Sequence, residues 1–240
     1  MKKGKILLIV LPIILLILAL LSYFKLSSLN TDAMKFKREY EKYNNKKTDS
    51  GKEYLNLNIE SNNPMKYKSA DDLIDIISNK TGIIYLGFPE CPWCRNAISV
   101  LLDVAEENDI KDIYYFNIKN ERDSYTLEDS KLVYEKDENG NEIKGTKDYS
   151  KLLKALDSVL FDYVLEIDGK KYETGVKRIY APSVIFIKDG KIIGIQVSTV
   201  ESQTDPYKKL TKDQYNELYD IYTDYVVKMK SSTCSIDKSC

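Results

Sequence analysis

Apolar residues alternate with polar ones, or form short runs, in several segments between residues 54 and 229. Alternation and short apolar runs both predict β-strands, here over residues 54–59, 82–88, 110–118, 183–188 and 191–197. The last two segments flank Asp189-Gly190, a pair that supplies the positive φ angle of a tight turn. The pattern therefore predicts an α/β chain whose last two strands form a hairpin.

Other segments carry apolar residues three and four positions apart, which is the spacing of one helix face. One such helix begins after Ser69, a typical N-cap, and a second spans about residues 91–107. The last begins at Thr211-x-x-Gln214, a capping box. Its apolar positions predict a packed terminal helix and are Tyr215, Leu218, Tyr222, Tyr225, Val226 and Met229.

Residues 119–178 lie between the third strand and the terminal hairpin, and they have apolar periodicity of their own. Asn139-Gly140 predicts a hairpin between the segments LVYEK and EIKG. A helix is predicted over about residues 148–164, and Asp168-Gly169 is a further turn. A long connection with such patterns is typical of a folded insertion.

The N-terminus has a different pattern, because residues 6–24 carry no charged side chain. A helix of that length approaches the thickness of a bilayer's hydrocarbon core, about 30 Å. The lysines in residues 1–5 favour a cytoplasmic N-terminus and an exported body. A cleaved signal peptide is the alternative to this transmembrane anchor. The polar residues 25–52 are predicted to be a tether, partly helical, before a domain over residues 53–229.

Composition excludes several kinds of chemistry. The chain has 36 basic and 37 acidic side chains, a net charge of −1, and no histidine. Cys–His and Ser–His–Asp catalysis and imidazole-ligated metals are therefore excluded. The even mixture of charges gives no basic stripe for nucleic acid. An exported body lies where disulfides persist.

Cys91-Pro92-Trp93-Cys94 is the motif with the clearest chemistry, because it stands where a predicted strand meets a predicted helix. Unpaired N–H groups and the dipole at a helix N-terminus stabilise a thiolate. The thiolate attacks a disulfide, and a second thiol one turn later resolves the mixed disulfide. A zinc site shared with Cys234 and Cys240 is a weaker alternative, since the two pairs lie far apart in sequence. A purely structural disulfide would close only a very short loop.

The order of elements, the motif CPWC and Ala181-Pro182 before the segment SVIFIKDGKIIG resemble the thioredoxin family. This resemblance covers residues 53–229 and implies a central mixed sheet flanked by helices, with 119–178 inserted. It implies that Pro182 is a cis proline facing the dithiol and that Pro92, Trp93 and Ala181 contact substrate. The alternative for Pro182 is the start of an edge strand. The segment YLGFPECPWCR is further similar to the bacterial thioredoxin-like proteins called bacteriocin transport accessory proteins.

Three residues around the motif depart from ordinary thioredoxins. Tyr85 stands where the family has a buried aspartate that relays protons. Glu90 precedes the first cysteine and is expected to raise the pKa of Cys91 by repulsion. Arg95 is expected either to lower that pKa or to be an ordinary solvated helix residue. The net direction is open.

These observations predict a membrane-anchored, extracytoplasmic thiol–disulfide oxidoreductase with Cys91 as nucleophile and Cys94 as resolving thiol. No cofactor beyond the dithiol is expected, and the predicted partners are exported cysteine-containing proteins or peptides and a membrane redox partner. Cys234 and Cys240, in the tail over residues 230–240, are either a local disulfide or free thiols, or a second redox pair. The alternative function is a binding module for a peptide exporter. Whether the dithiol reduces, oxidises or isomerises is open.

Overall fold

A computed structural model describes residues 13, 16–17, 31–129 and 131–231. Cys234, Cys240 and nearly all of the predicted anchor lie outside these residues. Within the described part of the chain, no helix combines the length and the apolar character needed to cross a bilayer. The helices are α1 (Asp32–Glu41), α2 (Ala70–Asn79), α3 (Pro92–Glu107), α4 (Lys147–Leu156) and α5 (Lys212–Lys230).

The strands form a five-stranded mixed sheet and two separate two-stranded hairpins. The large sheet has the order β1 (Met65–Tyr67), β3 (Ile113–Asn117), β2 (Gly82–Gly87), β8 (Ser183–Lys188) and β9 (Lys191–Val197). Strand β3 lies parallel to both β1 and β2, whereas β8 is antiparallel to β2 and to β9. The hairpins pair β4 (Tyr125–Glu128) with β5 (Lys131–Tyr134), and β6 (Phe161–Ile167) with β7 (Lys170–Arg178).

Successive side chains of the central strands enter two cores, one on each face of the sheet. On β2, Ile83 and Tyr85 point into the first core, while Ile84 and Leu86 point into the second, as the two-residue period of a strand requires. Helices α1, α3 and α5 cover the first face, and α2 and α4 cover the second. The chain is thus an α/β protein with a mixed sheet between two layers of helices.

The predicted N-caps and terminal hairpin are confirmed. Both Ser69 and Thr211 form complete capping boxes, with Asp72 and Gln214 at the reciprocal positions. Strands β8 and β9 pair through the turn at Asp189-Gly190. The strands predicted over 82–88 and 110–118 are present but shorter. They span Gly82–Gly87 and Ile113–Asn117.

The prediction of a tether over residues 25–52 is wrong for its described part. Helix α1 buries Ala33, Phe36 and Tyr40 in the first core. These residues lie three and four positions apart, so the helix has an apolar face that the intervening lysines obscure in the sequence. The folded domain therefore begins before residue 53.

The strand predicted over residues 54–59 does not form. The backbone N–H and C=O of Leu57 bond to the Asn44 side chain at 2.9 and 2.7 Å, and the N–H of Ile59 bonds to Glu41 Oε1 at 2.8 Å. Side chains from the end of α1 and just beyond it take the place of a neighbouring strand. The strand at this edge of the sheet is instead β1, whose three residues are too few to show a pattern in the sequence.

Inside the insertion, one prediction is wrong and another is only partly correct. The helix predicted over 148–164 ends at Leu156, because residues 161–167 pair with β7 across the Asp168-Gly169 turn. The hairpin predicted around Asn139-Gly140 forms only next to the turn, where Lys136 and Glu142 make an antiparallel bridge and the N–H of Ile143 donates to the carbonyl of Glu135 at 2.8 Å. The first three residues of the arm LVYEK pair with residues 125–127 instead.

Candidate active site

The dithiol lies where β2 passes into α3, as predicted. Cys91 is the N-cap of α3, and its sulfur accepts a hydrogen bond from the backbone N–H of Cys94 at 3.1 Å. Pro92 follows as the first helical residue, a position that needs no backbone N–H and suits the fixed φ of proline. The sulfur of Cys91 therefore lies among the unpaired N–H groups of the helix N-terminus.

The two thiols have different environments. Both are free and both are buried, with Cys91 5% exposed and Cys94 0%. Burial of Cys91 favours its neutral thiol, but hydrogen bonds from the Cys94 side chain and backbone and the charge of Arg122 outweigh it, so the pKa of Cys91 is lowered. Burial and the neighbouring Cys91 raise the pKa of Cys94 well above its ordinary value. Cys91 is thus the more acidic and the more accessible sulfur.

The loop before β8 adjoins the first sulfur. The Ala181–Pro182 peptide bond is cis, as predicted. The Cys91 thiol donates to the carbonyl oxygen of Ala181 at 3.4 Å. The structure therefore brings Ala181 and Pro182, some ninety residues away in sequence, against the dithiol.

Tyr85 lies beneath the second sulfur and is fully buried. Its hydroxyl is 3.0 Å from that of Tyr40 and 3.4 Å from the carbonyl oxygen of Cys94. A Cβ added at Gly87 would lie 2.8 Å from the Tyr85 hydroxyl and 3.1 Å from the Cys94 sulfur, so both groups converge on this glycine. Burial, followed by the proximity of Cys94, raises the pKa of Tyr85 well above 10. Tyr85 is consequently a neutral hydrogen-bond donor under the dithiol.

Arg95 is neither solvated nor directed at Cys91. Its side chain is fully buried, and it donates to four oxygens: the carbonyls of Leu55 at 2.7 Å, Tyr40 at 2.7 Å and Pro89 at 3.1 Å, and Asn44 Oδ1 at 2.8 Å. These oxygens come from α1, from the segment after it and from the turn before Cys91. Arg95 therefore ties the N-terminal segment to the active-site turn.

Glu90 is paired with other groups, which weakens the repulsion that was predicted to raise the pKa of Cys91. Its Oε1 accepts hydrogen bonds from the Tyr43 hydroxyl at 2.5 Å and from Lys119 Nζ at 2.8 Å. Partial burial raises the pKa of Glu90, but these two bonds outweigh it and the pKa is lowered. The adjacent lysine offsets the repulsion that Glu90 would exert on a Cys91 thiolate.

Sequence reasoning missed Arg122, the positive charge that acts on Cys91. It lies in the insertion, and its guanidinium carbon is 5.1 Å from the centre of the Phe88 ring. Nothing in its local sequence pattern distinguishes it from the other basic residues of the insertion. Tyr40 was likewise missed, although the spacing of Ala33, Phe36 and Tyr40 indicated an apolar helix face.

Trp93, between the two cysteines, is one of the residues that line a groove of about 510 Å³. Its lining also includes Ile195 of strand β9, Ile221 of helix α5 and Phe161 of the insertion. Phe161 is 54% exposed. Six of the twelve lining residues are polar, so the groove offers an extended chain both apolar and polar contacts next to the dithiol.

Among the described residues, no three potential His, Cys, Asp or Glu ligands cluster as a metal site. A scan of protein-family models finds no family that matches this chain, and a search of curated proteins finds no match either.

Proposed function

We propose that this chain is a thiol–disulfide oxidoreductase of thioredoxin-like fold, anchored in a membrane with its domain outside the cytoplasm. The observation that carries the proposal is the asymmetric dithiol at the start of α3. The Cys91 sulfur accepts the Cys94 N–H at 3.1 Å and has a lowered pKa, whereas Cys94 is inaccessible and has a raised one. An attacking thiol needs thiolate character, and a resolving thiol needs protection from competing substrates.

In the reducing direction, the Cys91 thiolate attacks one sulfur of a substrate disulfide. A mixed disulfide forms, the substrate S–S bond breaks, and the other substrate sulfur leaves as a thiolate. Cys94 then gives up its proton, which reprotonates that thiolate, and attacks the sulfur of Cys91. The second substrate thiolate leaves and takes a proton from water. The substrate gains two electrons, and the protein retains a Cys91–Cys94 disulfide.

Groups around the dithiol support both steps. The Ala181 carbonyl lies 3.4 Å from the Cys91 sulfur, so the backbone before Pro182 is placed to contact a substrate chain. Trp93 lines the adjoining groove, and Pro92, beside it in the motif, is proposed to contact substrate with it. The Tyr85 hydroxyl stabilises Cys94 as it becomes a thiolate, since their contact lowers the pKa of that thiol. The chemistry needs no prosthetic group, and a membrane redox partner would regenerate the dithiol.

Trapping tests this proposal. We expect full-length Cys94→Ala protein, in a Cys234→Ser/Cys240→Ser background, to accumulate as mixed disulfides with exported proteins, because the resolving thiol is gone. Non-reducing electrophoresis and mass spectrometry would identify the captured proteins. The same background carrying Cys91→Ala and Cys94→Ala is the control and should capture none. Failure of the single variant to capture any protein would contradict the proposal.

A binding module is the second candidate, and the exposed apolar residues of the insertion favour it. Phe161, Val164, Tyr172 and Val176 are each more than a third exposed on the β6–β7 hairpin. This reading gains if Phe161→Asp abolishes function in cells while the Cys91→Ala variant keeps it. Deletion of the whole insertion would not separate the candidates, because α4 belongs to the second core.

A further inference from the structure

The two ends of the insertion bring together a small charged cluster next to the active site. Arg122 and Asp123 lie near its start, and Arg178 is the last residue of β7. Arg178 Nη1 is 3.9 Å from Asp123 Oδ1, and these side chains are only 11% and 13% exposed. The cluster therefore contains two guanidinium groups and one carboxylate, which leaves one positive charge in excess.

Several polar atoms of this cluster have no hydrogen-bond partner among the described residues. Arg122 Nε, Asp123 Oδ1 and Arg178 Nη1 are buried without a hydrogen bond among the described residues. Buried polar atoms in folded proteins are nearly always hydrogen-bonded. The terminal nitrogens of Arg122 also donate to no described residue, yet they are not among the buried atoms. They are consequently the atoms that an anion arriving from solvent would meet.

The position of the cluster links it to the dithiol. The Arg122 guanidinium lies over the ring of Phe88, and the Phe88 carbonyl accepts the N–H of Cys91 at 3.3 Å. Arg178 precedes Ala181 by three residues, and the Ala181 carbonyl contacts the Cys91 sulfur. An anion on Arg122 would therefore lie beside a disulfide that Cys91 attacks.

We infer that Arg122, supported by Arg178, binds a carboxylate of the substrate next to the disulfide under attack. This inference rests on the proposed function and names its substrate class, an acidic disulfide. The terminal nitrogens of Arg122 donate to the carboxylate, a charge-assisted contact for which guanidinium geometry is suited. Arg178, with Nη1 3.9 Å from Asp123 Oδ1 and its guanidinium 3.9 Å from the Tyr163 ring centre, is a positioning residue that adds positive charge. The carboxylate comes either from a small disulfide or from an acidic side chain of a polypeptide.

Two matched substrate pairs test this inference on the full-length protein. The small pair is 3,3′-dithiodipropionate and its neutral diamide, and the peptide pair carries Glu or Gln beside a disulfide-bonded cysteine. We expect wild-type kcat/KM to favour the acidic member about ten-fold in at least one pair, the pair showing which source is used. Arg122→Gln should bring the ratio within about two-fold. Lys177→Gln removes a charge from the neighbouring position of β7 and should leave the ratio unchanged.

The ratio separates binding from thiolate chemistry, because a change in the Cys91 thiolate affects both members of a pair equally. Equal wild-type rates within both pairs would overturn the inference without affecting the proposed function. A lower rate in Arg122→Gln with the ten-fold preference intact would also overturn it, since Arg122 would then act on Cys91 alone. The wild-type ratios suffice if Arg122→Gln fails to fold. A protein that reduces neither pair overturns the inference alone, because the proposed function is tested by trapping and does not depend on the direction of electron transfer.

Discussion

Two additions to the central sheet differ in how they meet it: the N-terminal segment, residues 31–64, and the insertion, residues 119–178. The N-terminal segment buries two of its four aromatic side chains completely, since both Phe36 and Tyr40 are 0% exposed in the first core. The insertion packs one helix on the second core but leaves the β6–β7 hairpin outside, where Phe161 is 54% exposed. Both segments are rich in lysine and tyrosine, so composition does not distinguish them.

The difference indicates a division of roles around the dithiol. The N-terminal segment supports the site from below. The Tyr40 hydroxyl is hydrogen-bonded to that of Tyr85, and the Tyr40 carbonyl accepts a hydrogen bond from Arg95. The insertion contributes Arg122, whose charge acts on Cys91, and Phe161, which lines the groove beside Trp93. The N-terminal segment thus mainly stabilises the fold around the dithiol, whereas the insertion offers exposed side chains that a substrate or partner can contact.

The largest effect is expected on the free energy of unfolding, when a phenylalanine is replaced by alanine in each of the two regions. Phe36→Ala should lower the free energy of unfolding by about 3–5 kcal/mol, because it opens a cavity among the stacked aromatic rings of the first core. Phe161→Ala should change it by about 0.5 kcal/mol, as is usual at the surface. Urea unfolding followed by circular dichroism measures both. Equal losses would show that the N-terminal segment is not part of the core.

The next largest effect concerns Tyr85, which lies beneath the dithiol and is bonded to Tyr40 of the N-terminal segment. Tyr85→Phe should cost about 1–3 kcal/mol of unfolding free energy, because it leaves the buried hydroxyl of Tyr40 without that partner. It should also slow release of the mixed disulfide, since Cys94 loses a donor to its thiolate. Tyr172→Phe, on the exposed hairpin, is the control. Denaturant unfolding and single-turnover kinetics measure the two effects, and a Tyr85→Phe protein with wild-type values in both would contradict the assigned role.

The smallest effect is a shift in the pH dependence of Cys91. Arg122→Gln should raise the pKa of Cys91, because a positive charge that favours the thiolate is removed. The iodoacetamide reaction of Cys91, read by peptide mapping across pH, should move to higher pH, while Lys177→Gln leaves it in place. An unmoved profile would show that the insertion does not tune the nucleophile.

The lowered pKa of Cys91 in the folded protein also makes stability depend on pH. The unfolded chain holds the Cys91 proton to higher pH than the folded chain, so this thiolate stabilises the fold above the unfolded pKa. That contribution is lost as pH falls through the lowered pKa of folded Cys91. Cys94 works in the opposite sense, because its raised pKa reduces stability as pH rises above the unfolded value.

Local signals predicted those parts of the fold that depend on neighbouring residues. Capping at Ser69 and Thr211, the Asp189-Gly190 turn and the strand leading to Cys91 rest on short-range hydrogen bonds and apolar periodicity. The errors occurred where distant groups decide. Residues 54–59 have a strand pattern, yet the side chain of Asn44 takes the backbone groups of Leu57 that a neighbouring strand would have bonded. The helix predicted through residue 164 ends early because β7 offers residues 161–167 a better partner.

The sequence by itself determined the dithiol at a strand–helix junction, because the spacing of Cys91 and Cys94 and the helix start are local properties. It also determined which cysteine heads the helix, and it excluded any imidazole chemistry. Only the tertiary structure decided what surrounds the pair. Arg95 turned inward because carbonyl oxygens from remote segments satisfy its guanidinium, and Arg122 reached the site because the two ends of the insertion meet there. Local spacing follows from covalent geometry, whereas long-range charges and hydrogen bonds depend on which segments the fold brings together.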